Sequence, residues 1–494
     1  RTNLNIVVVE SPAKAKPINQ FLGKDFLVVA SYGHIRNLPP KNGSVKPEEN
    51  FAITYELEKN GNKRLKTIND SLTEDSVLYL ATDPDREGEA IAWHILVALK
   101  NKKNKDKLKV QRVIFHEITK KAVLEAFSSP RNIDMNLVDA QQARRALDYL
   151  VGFHLSPVLW RKLPGTKSAG RVQSPALRLI VSREEEIDKF IKKEYWSIDV
   201  NIITADQKSF LARLSHWENK KLKKFDIPNE TLANKMSKEI GETDFKIANI
   251  EYKTTKRNPP PPFITSTLQQ EANRKLGFTA NHTMGIAQNL YEGVNVGNNE
   301  TAGLISYMRT DSVTLSKDAL KSIREVIEKK FGEKYLPKEP RYYKNSSRNA
   351  QEAHEAIRPT YPSKDPKSLS KYLNNDQKRL YELIWNRTLA CQMNSAEIDK
   401  VTVDLENSQK TISLRANGSK ISFPGFIKIY SEGYDEENND DADISPNQIP
   451  KLSLNETMRK ILPNPKQHFT EPPPRFTEAS LVKKLEELGI GRPS

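Results

Sequence analysis

The sequence predicts a multidomain chain in which an N-terminal α/β unit is followed by mostly α-helical structure with β arms. Three observations carry that prediction. Strand and helix patterns alternate over residues 1 to about 128, two β-rich stretches flank a long helical block, and 494 residues exceed what one hydrophobic core organises.

In the first unit, Ile6-Val-Val-Val-Glu10 reads as a strand, followed by a basic loop, a helix and a second strand at Phe26–Ala30. The apolar run SVLYLA (76–81) is a third strand, and GEAIAWHILVAL from Gly88 is a helix. Arg112–His116 is a fourth strand, with a helix from Thr119. Sheets of this type carry their sites at strand ends. Lys100 to Lys109 (KNKKNKDKLK) is a basic connector, read as a solvated loop rather than a specific nucleic-acid contact.

Residues 135 to 190 are helical, with a break at Pro164-Gly165. From Tyr195 to about Lys256 the pattern is strand-like, and Pro259–Pro262 ends it because consecutive prolines cannot continue a ladder. Ser266 with Gln269 forms a capping box that opens a new helix. Helices then dominate to about Ala390, and alternation returns from Lys400 to Leu414. The β segments on either side of the helical block can pair into one sheet, which makes the block an insertion between two β arms. Glu432 to Asp443 carries seven acids and no base and reads as a surface loop. No internal repeat is evident.

Lys and Arg exceed Asp and Glu by 78 to 63, a net charge of +15, which favours a polyanionic partner, most simply nucleic acid. No apolar run approaches the ~20 residues of a membrane span. Cys391 is the only cysteine, so these residues hold neither a disulfide framework nor a zinc ribbon, and a reducing cytosol fits best. The start on Arg1 leads directly into a strand without a signal-peptide layout, and the native beginning is expected to be missing.

Four constellations carry chemistry. Asp83, Asp85 and Glu87 recur at every second residue of ATDPDREGE (81–89), between a strand and a helix. On an extended backbone all three carboxylates share one side, where they repel unless a hard cation neutralises them, and Mg²⁺ suits oxygen ligands. Taken alone, such a triplet is as readily a solvated acidic turn. Tyr307 and Arg309 lie two apart in SYMRTDS (306–312), which follows the short β-like run Gly303-Leu-Ile. A phenol is a poor nucleophile near neutral pH, and a neighbouring guanidinium would favour the phenolate and hold a phosphate, as attack on a phosphodiester requires. A structural tyrosine is the alternative. Glu10 and Lys14 sit where the first strand meets its helix, as a proton shuttle and a partner for a leaving oxygen, or as a charged helix cap. Arg145, Tyr149, Gly152 and Phe153 share a face of the helix Asn136–Phe153, fit for stacking on a single strand or for ordinary helix packing.

Together these segments closely resemble the type IA DNA topoisomerases, from about Asn5 to Ser494. VVVESPAKAKPINQFLG and ASYGHIRNLP resemble the start of that family's TOPRIM domain, and ATDPDREGEAIAWHI its metal loop. AQQARRALDYLVGF and SAGRVQSPALRLIVSREEEI resemble its DNA-gripping helices. ITSTLQQEA, SYMRTDS, NAQEAHEAIRP and FTEASLVKKLEELGIGRPS complete the family's order. ESPAKA resembles the topoisomerase I branch rather than topoisomerase III, and a reverse gyrase, with its helicase segment before the TOPRIM domain, is not expected.

The resemblance implies a torus with a TOPRIM domain at 1–133 and DNA-gripping segments at 134–200 and 429–494. It implies β-arm segments at 201–264 and 392–428 around a helical domain at 265–391 that bears the nucleophile. Tyr307 would form a 5′-phosphotyrosine link, Arg309 would hold the scissile phosphate, Glu10 would act as general acid or base, and Lys14 would assist the leaving 3′-hydroxyl. Asp83, Asp85 and Glu87 would bind Mg²⁺, needed mainly for resealing. His34, Arg171, Gln173, His354 and Arg492 fall in motifs around the site or on the phosphates, and Arg145, Asp148 and Phe153 correspond to a cytosine pocket. The implied reaction is ATP-independent relaxation of negatively supercoiled DNA by a monomer acting on single-stranded segments, in the bacterial cytoplasm at the nucleoid. A TOPRIM nuclease or primase would need no tyrosine, and a plain single-strand-binding protein would need no acid loop.

Pro17, Ser306 and Tyr149 depart from the family's usual threonine, threonine and arginine. Tyr149 weakens the expected cytosine preference. Arg492-Pro-Ser494 stops inside a motif that normally continues, so the chain is expected to be part of a longer protein and, made alone, to relax plasmid poorly.

Overall fold

β-Branched runs build the first sheet. Strands β1 (Asn5–Val9), β2 (Phe26–Ala30), β3 (Val77–Leu80) and β4 (Lys109–Arg112) pair in parallel in the order β2–β1–β3–β4. Parallel neighbours need crossovers, which the helices α1 (Pro12–Leu22), α2 (Gly61–Ser71) and α3 (Arg86–Lys100) supply. The chain leaves β1 toward β2 and leaves β3 toward β4, in opposite directions across the sheet. The loops after β1 and β3 therefore part at a switch point and open a crevice at the strand ends. Glu10 lies in one of those loops and Asp83 in the other.

The computed structural model describes residues 4–101, 107–345, 354–433 and 447–491. The middle of the basic connector, most of the acidic run and Arg492 lie outside these residues.

The two faces of the first sheet have different partners. Ile6, Val8, Leu78 and Leu80 pack on Leu65 and Ile68 of α2 and on Ile91 and Ile95 of α3. Val7, Val9 and Ala81 face Ile18 of α1 and join a core that continues through Phe263, Tyr291, Tyr307 and Leu380. One apolar core thus runs from the α/β unit into the helical block.

After α4 (Lys120–Ser128), the chain forms the long helix α5 (Met135–Lys162) and, past the expected break, α6 (Gln173–Asp188). An antiparallel sheet follows, built from β5 (Glu194–Ile203), β6 (Ser209–Trp217), β7 (Phe245–Arg257), β8 (Ala396–Asn407), β9 (Ile412–Phe423) and β10 (Lys460–Phe469). Its order is β7–β8–β9–β6–β5–β10, with the short strand Lys220–Lys221 beside β6. The strands before and after the helical block pair along their lengths, from Phe245 opposite Asn407 to Arg257 opposite Ala396. Helix α7 (Glu230–Gly241) covers the sheet through Ala233, Met236 and Ile240.

β5 runs across the boundary expected at 200/201, and β10 belongs to the sheet although it lies in the segment assigned to DNA gripping. Pro463 and Pro465 are two residues apart, so their missing N–H groups fall on the same side, which an edge strand tolerates.

The block between β7 and β8 holds α8 (Thr265–Leu276), α9 (Ala280–Glu292), α10 (Lys317–Phe331) and α11 (Asn375–Ala390). The expected capping pair Ser266 and Gln269 is not the cap. The cap is Ile264, two residues earlier, and its N–H donates to Thr267 Oγ1 at 3.0 Å. The Thr265 hydroxyl is drawn elsewhere, donating to the Met308 carbonyl at 2.7 Å. Helix α12 (Glu478–Glu487) docks on this block, where Glu478 accepts the Ala280 N–H at 2.6 Å. No helix among the described residues is long and apolar enough to cross a membrane.

Candidate active site

The acid loop joins β3 to α3, and the helix starts two residues earlier than the sequence predicts. Asp85 is its N-cap, with Oδ1 accepting the Gly88 N–H at 2.7 Å, and Glu87 lies in the first helical turn. The three carboxylates therefore do not share one extended edge. Unpaired N–H groups at a helix start draw a carboxylate into the cap, and the turn that follows swings Glu87 to another side. Asp83 and Asp85 face Lys14 and Tyr307, whereas Glu87 pairs with His34 and accepts from Gln141 at 3.2 Å. Among the described residues no group of three or more His, Cys, Asp or Glu is arranged to hold a metal ion.

Two residues outside the acid triplet shape the loop. Arg112 is fully buried, and its guanidinium donates to the carbonyls of Leu80 at 3.0 Å, Thr82 at 2.7 Å and Asp83 at 2.7 Å. Glu89 neutralises it at 2.9 Å and also binds Arg131 at 2.7 Å. Gly88 lies against the loop so closely that an added Cβ would stand 2.0 Å from the Asp83 carbonyl oxygen. The bland strand pattern around Arg112 hides its role, and the only signal is a charge in an otherwise apolar run.

Lys14 occupies the switch point. Its fully buried ammonium donates to Glu10 Oε2 at 2.8 Å and to Asp83 Oδ1, and lies 5.3 Å from the centre of the Tyr291 ring. Burial works against its charge, yet Glu10 and Asp83 more than offset that and hold its pKa well above the ordinary lysine value. Asp83 is pushed the other way. Burial, then Glu10 and Asp85, raise its carboxyl to about 7 against the opposing pull of Lys14. Glu10 also accepts the Asp83 N–H, tying the two strand ends together. The hydrogen bond from His34 holds Glu87 down at about 2.

Tyr307 is 3 % exposed, and its hydroxyl donates to Asp85 Oδ2 at 2.5 Å. Its ring meets Tyr291 edge-on, with centroids 5.1 Å apart. Burial, then Asp83 and Asp85, raise the phenol's pKa well above its usual value. The expected help from Arg309 is absent in this arrangement. The chain bends at Met308, so Tyr307 points inward and Arg309 stands exposed on the cleft wall, outside the charges acting on the phenol. The Tyr307 N–H donates to the His116 carbonyl at 2.8 Å. Ser306 needs its hydroxyl: Oγ donates to the Ala356 carbonyl at 2.7 Å and accepts the Arg358 N–H at 2.9 Å. Pro17 is buried inside α1, one turn beyond Lys14.

A cleft of about 1310 Å³ opens beside this centre, and its lining includes Asp85, Glu87, Arg145, Asp148, Arg309 and His354. His354 packs edge-on against His116 at 5.0 Å, and burial lowers its pKa. Arg145 donates to Asn37, and Asp148 pairs with Arg171 at 2.6 Å. Further along α5, Tyr149 and Phe153 stack with centroids 4.3 Å apart, the Tyr149 hydroxyl being held by the Lys41 carbonyl. Gln173 donates to Ser168 at 3.3 Å.

A family model described as DNA topoisomerase matches residues 132–494, and one described as Toprim domain matches residues 5–118. The chain belongs to the type IA DNA topoisomerase family. It is 55 % identical to the DNA topoisomerase 1 of Rickettsia felis, an alignment covering 99 % of this chain and 63 % of that protein. It is 51 % identical to that of Xylella fastidiosa, over 99 % of this chain and 60 % of the relative. The solved full-length topoisomerase I of Thermotoga maritima superposes with a TM-score of 0.81 at 38 % identity, covering 99 % of this chain and 76 % of that one. The chain thus spans roughly three-fifths of the length of the curated relatives it matches. Within this topoisomerase fold the acid loop comes from the Toprim match and Tyr307 from the second.

Two outcomes are expected from this geometry. Gly88→Ala should displace the Asp83 carbonyl from Arg112 and lower the melting temperature, because a Cβ has no room there. Thermal melting checks it, and an unchanged melting temperature would show that the loop can yield. Asp83→Asn tests the raised carboxyl. Asp83 holds its proton more tightly when folded, so the folded parent loses stability as pH rises from its ordinary 3.8 to about 7, and no more above that. The asparagine variant should therefore gain melting temperature relative to the parent across that window. The reverse trend would mean that the Lys14 ion pair dominates.

Proposed function

We propose that Tyr307 attacks a phosphodiester of one DNA strand, that a second strand passes the break, and that reversal reseals it, relaxing negatively supercoiled DNA. The observation that carries this reading is the contact of the Tyr307 hydroxyl with the acid loop at 2.5 Å from Asp85. A nuclease or primase has no need to seat a tyrosine there.

As arranged, Asp85 is the group positioned to take the phenolic proton. The phenolic oxygen bonds to phosphorus, the bond from phosphorus to the 3′ oxygen breaks, and the Lys14 ammonium gives that oxygen a proton. Glu10 holds Lys14, and on resealing the 3′ hydroxyl gives its proton back to the Lys14 amine while Asp85 returns the other to the phenolic oxygen. The phosphotyrosine keeps the energy of the bond it replaced, so resealing requires no ATP. Arg309, exposed on the cleft wall, is placed to hold the scissile phosphate. Arg145, with Asp148 and Phe153 further along α5, would contact a base upstream, preferentially cytosine. The excess of basic residues favours nucleic acid as the partner, and single-stranded segments of DNA are the substrate of this reading. Nucleophile and acids come from one chain, which supports a monomer, and the bacterial relatives support a cytoplasmic, nucleoid-associated setting.

The donor set fits Mg²⁺. This ion is commonly held by one or two carboxylates together with phosphates and waters, so Asp83 and Asp85 suffice without a cage of three. A carboxyl raised to about 7 by burial, and then by Glu10 and Asp85, marks a place where a further positive charge would be welcome. When bound, the ion would stabilise charge on the phosphate during resealing.

Tyr307→Phe should lose the covalent adduct on a denaturing gel while binding single-stranded oligonucleotide within about twofold of the parent, because only the phenolic oxygen is removed. Surviving adduct would reassign the nucleophile. Asp83→Ala with Asp85→Ala should abolish Mg²⁺-dependent relaxation and lower oligonucleotide affinity only a few fold. Ordinary relaxation by that double variant would remove the metal assignment.

A further inference from the structure

We propose that Glu117 and Arg358 are positioning residues that latch the Tyr307 segment onto the acid loop, and that their ion pair sets how readily the two bodies part. The inference rests on the reading of Tyr307 as the nucleophile. At 3 % exposure, with its hydroxyl against Asp85, Tyr307 meets a phosphate only after the helical block and the α/β unit have parted to admit it and closed again with Asp85 in reach.

Backbone bonds cross that seam from Tyr307 to the His116 carbonyl at 2.8 Å and from Gly303 to the Ile118 carbonyl at 3.0 Å. Between those two carbonyls stands Glu117, whose Oε1 accepts from Arg358 Nη2 at 2.9 Å. Arg358 belongs to the helical block, and its backbone holds Ser306 from both sides: its carbonyl accepts the Ser306 N–H at 2.8 Å, and its N–H donates to Ser306 Oγ at 2.9 Å. A pull on the guanidinium therefore reaches the residue next to the nucleophile.

The second carboxylate on Arg358 makes the pair releasable. Glu355, on the same side of the seam, accepts from Arg358 Nε at 2.5 Å and Nη2 at 3.0 Å, and also accepts the Ser316 N–H at the start of α10 at 3.2 Å. A buried guanidinium left without a partner is strongly unfavourable. Here the seam can open with Arg358 still paired to Glu355, while the partly exposed Glu117 regains water. A permanent clamp would have placed both acids across the seam. Lys121 and Asp318 also bridge it at 2.7 Å, but on exposed side chains, where such pairs contribute little.

The test places spin labels on cysteines introduced at exposed Lys120 of α4 and Lys321 of α10, since the native Cys391 is buried. In the full chain without DNA, Glu117→Gln should raise the population at longer distance by roughly tenfold, and Lys121→Gln by less than about twofold. Covalent adduct formed on a single-stranded oligonucleotide should reseal several-fold more slowly in Glu117→Gln. Glu117→Asp, which keeps the charge, should restore both readouts to within about threefold of the parent. Unchanged distances in Glu117→Gln, or an equal shift in Lys121→Gln, would overturn the latch. The distances require no DNA chemistry, so the latch can fail without the Tyr307 assignment failing, and the reverse.

Discussion

Everything around the candidate site depends on one buried ammonium. Glu10 comes from the loop after β1 and Asp83 from the loop after β3, and two carboxylates at neighbouring strand ends repel unless a cation lies between them. Lys14, one turn into α1, supplies it at 2.8 Å from Glu10. A buried charge survives only when paired and hydrogen-bonded, and Lys14 has both carboxylates and the face of Tyr291. Its position in turn places Asp83, whose N–H binds Glu10 and whose carbonyl binds Arg112. Remove the ammonium and the acid loop loses the charge that lets its carboxylates stand together.

The shared core joins Tyr307, which belongs to one body, to the acids of the other. Val7 and Val9 under the first sheet, and Tyr291 and Tyr307 from the helical block, contribute to the same apolar cluster. Burying apolar surface is not directional, so it brings the bodies together without fixing their register. Register comes from polar contacts that tolerate little error: the phenol on Asp85, the Tyr307 amide on His116, and Glu117 on Arg358. With the Gly303 amide on Ile118, those contacts and the shared apolar surface are what the seam releases when the bodies part.

The sequence made much of this legible. The four parallel strands, the pairing of the β segments across the helical block, and the joining of Tyr307 to the acid loop all follow from patterns and motifs read along the chain. What escaped it depended on neighbours distant in sequence or on backbone detail. The second-residue spacing of the acids describes an extended segment, but unpaired amides at the start of α3 turned Asp85 into a cap. Tyr307 and Arg309 share a face only if the chain stays straight, and it bends at Met308. β10 carries two prolines, which argue against a strand until an edge is known to be there. Arg112 looks like the solvated end of a strand, and only the fold shows that it gathers the loop carbonyls.

Protonation in this closed arrangement keeps the Tyr307 phenol neutral beside Asp83 and Asp85. Burial and the nearby carboxylates push the Tyr307 phenol well up, so it stays neutral, and Asp83 near 7 is partly protonated at neutral pH. Both shifts share a cause: negative charge held in a dry place with Lys14 alone to balance it. A phosphodiester adds further negative charge, so DNA alone makes the imbalance worse. Parting the bodies readmits water to the phenol, and Arg309, already on the cleft wall, is the cation nearest to it in sequence. The guanidinium expected to activate Tyr307 thus stands outside the sealed site, and Asp85 is the group in contact with the phenol when the site is closed. The burial that packs the phenol into the core also keeps it unreactive toward any phosphate that has not first moved the helical block.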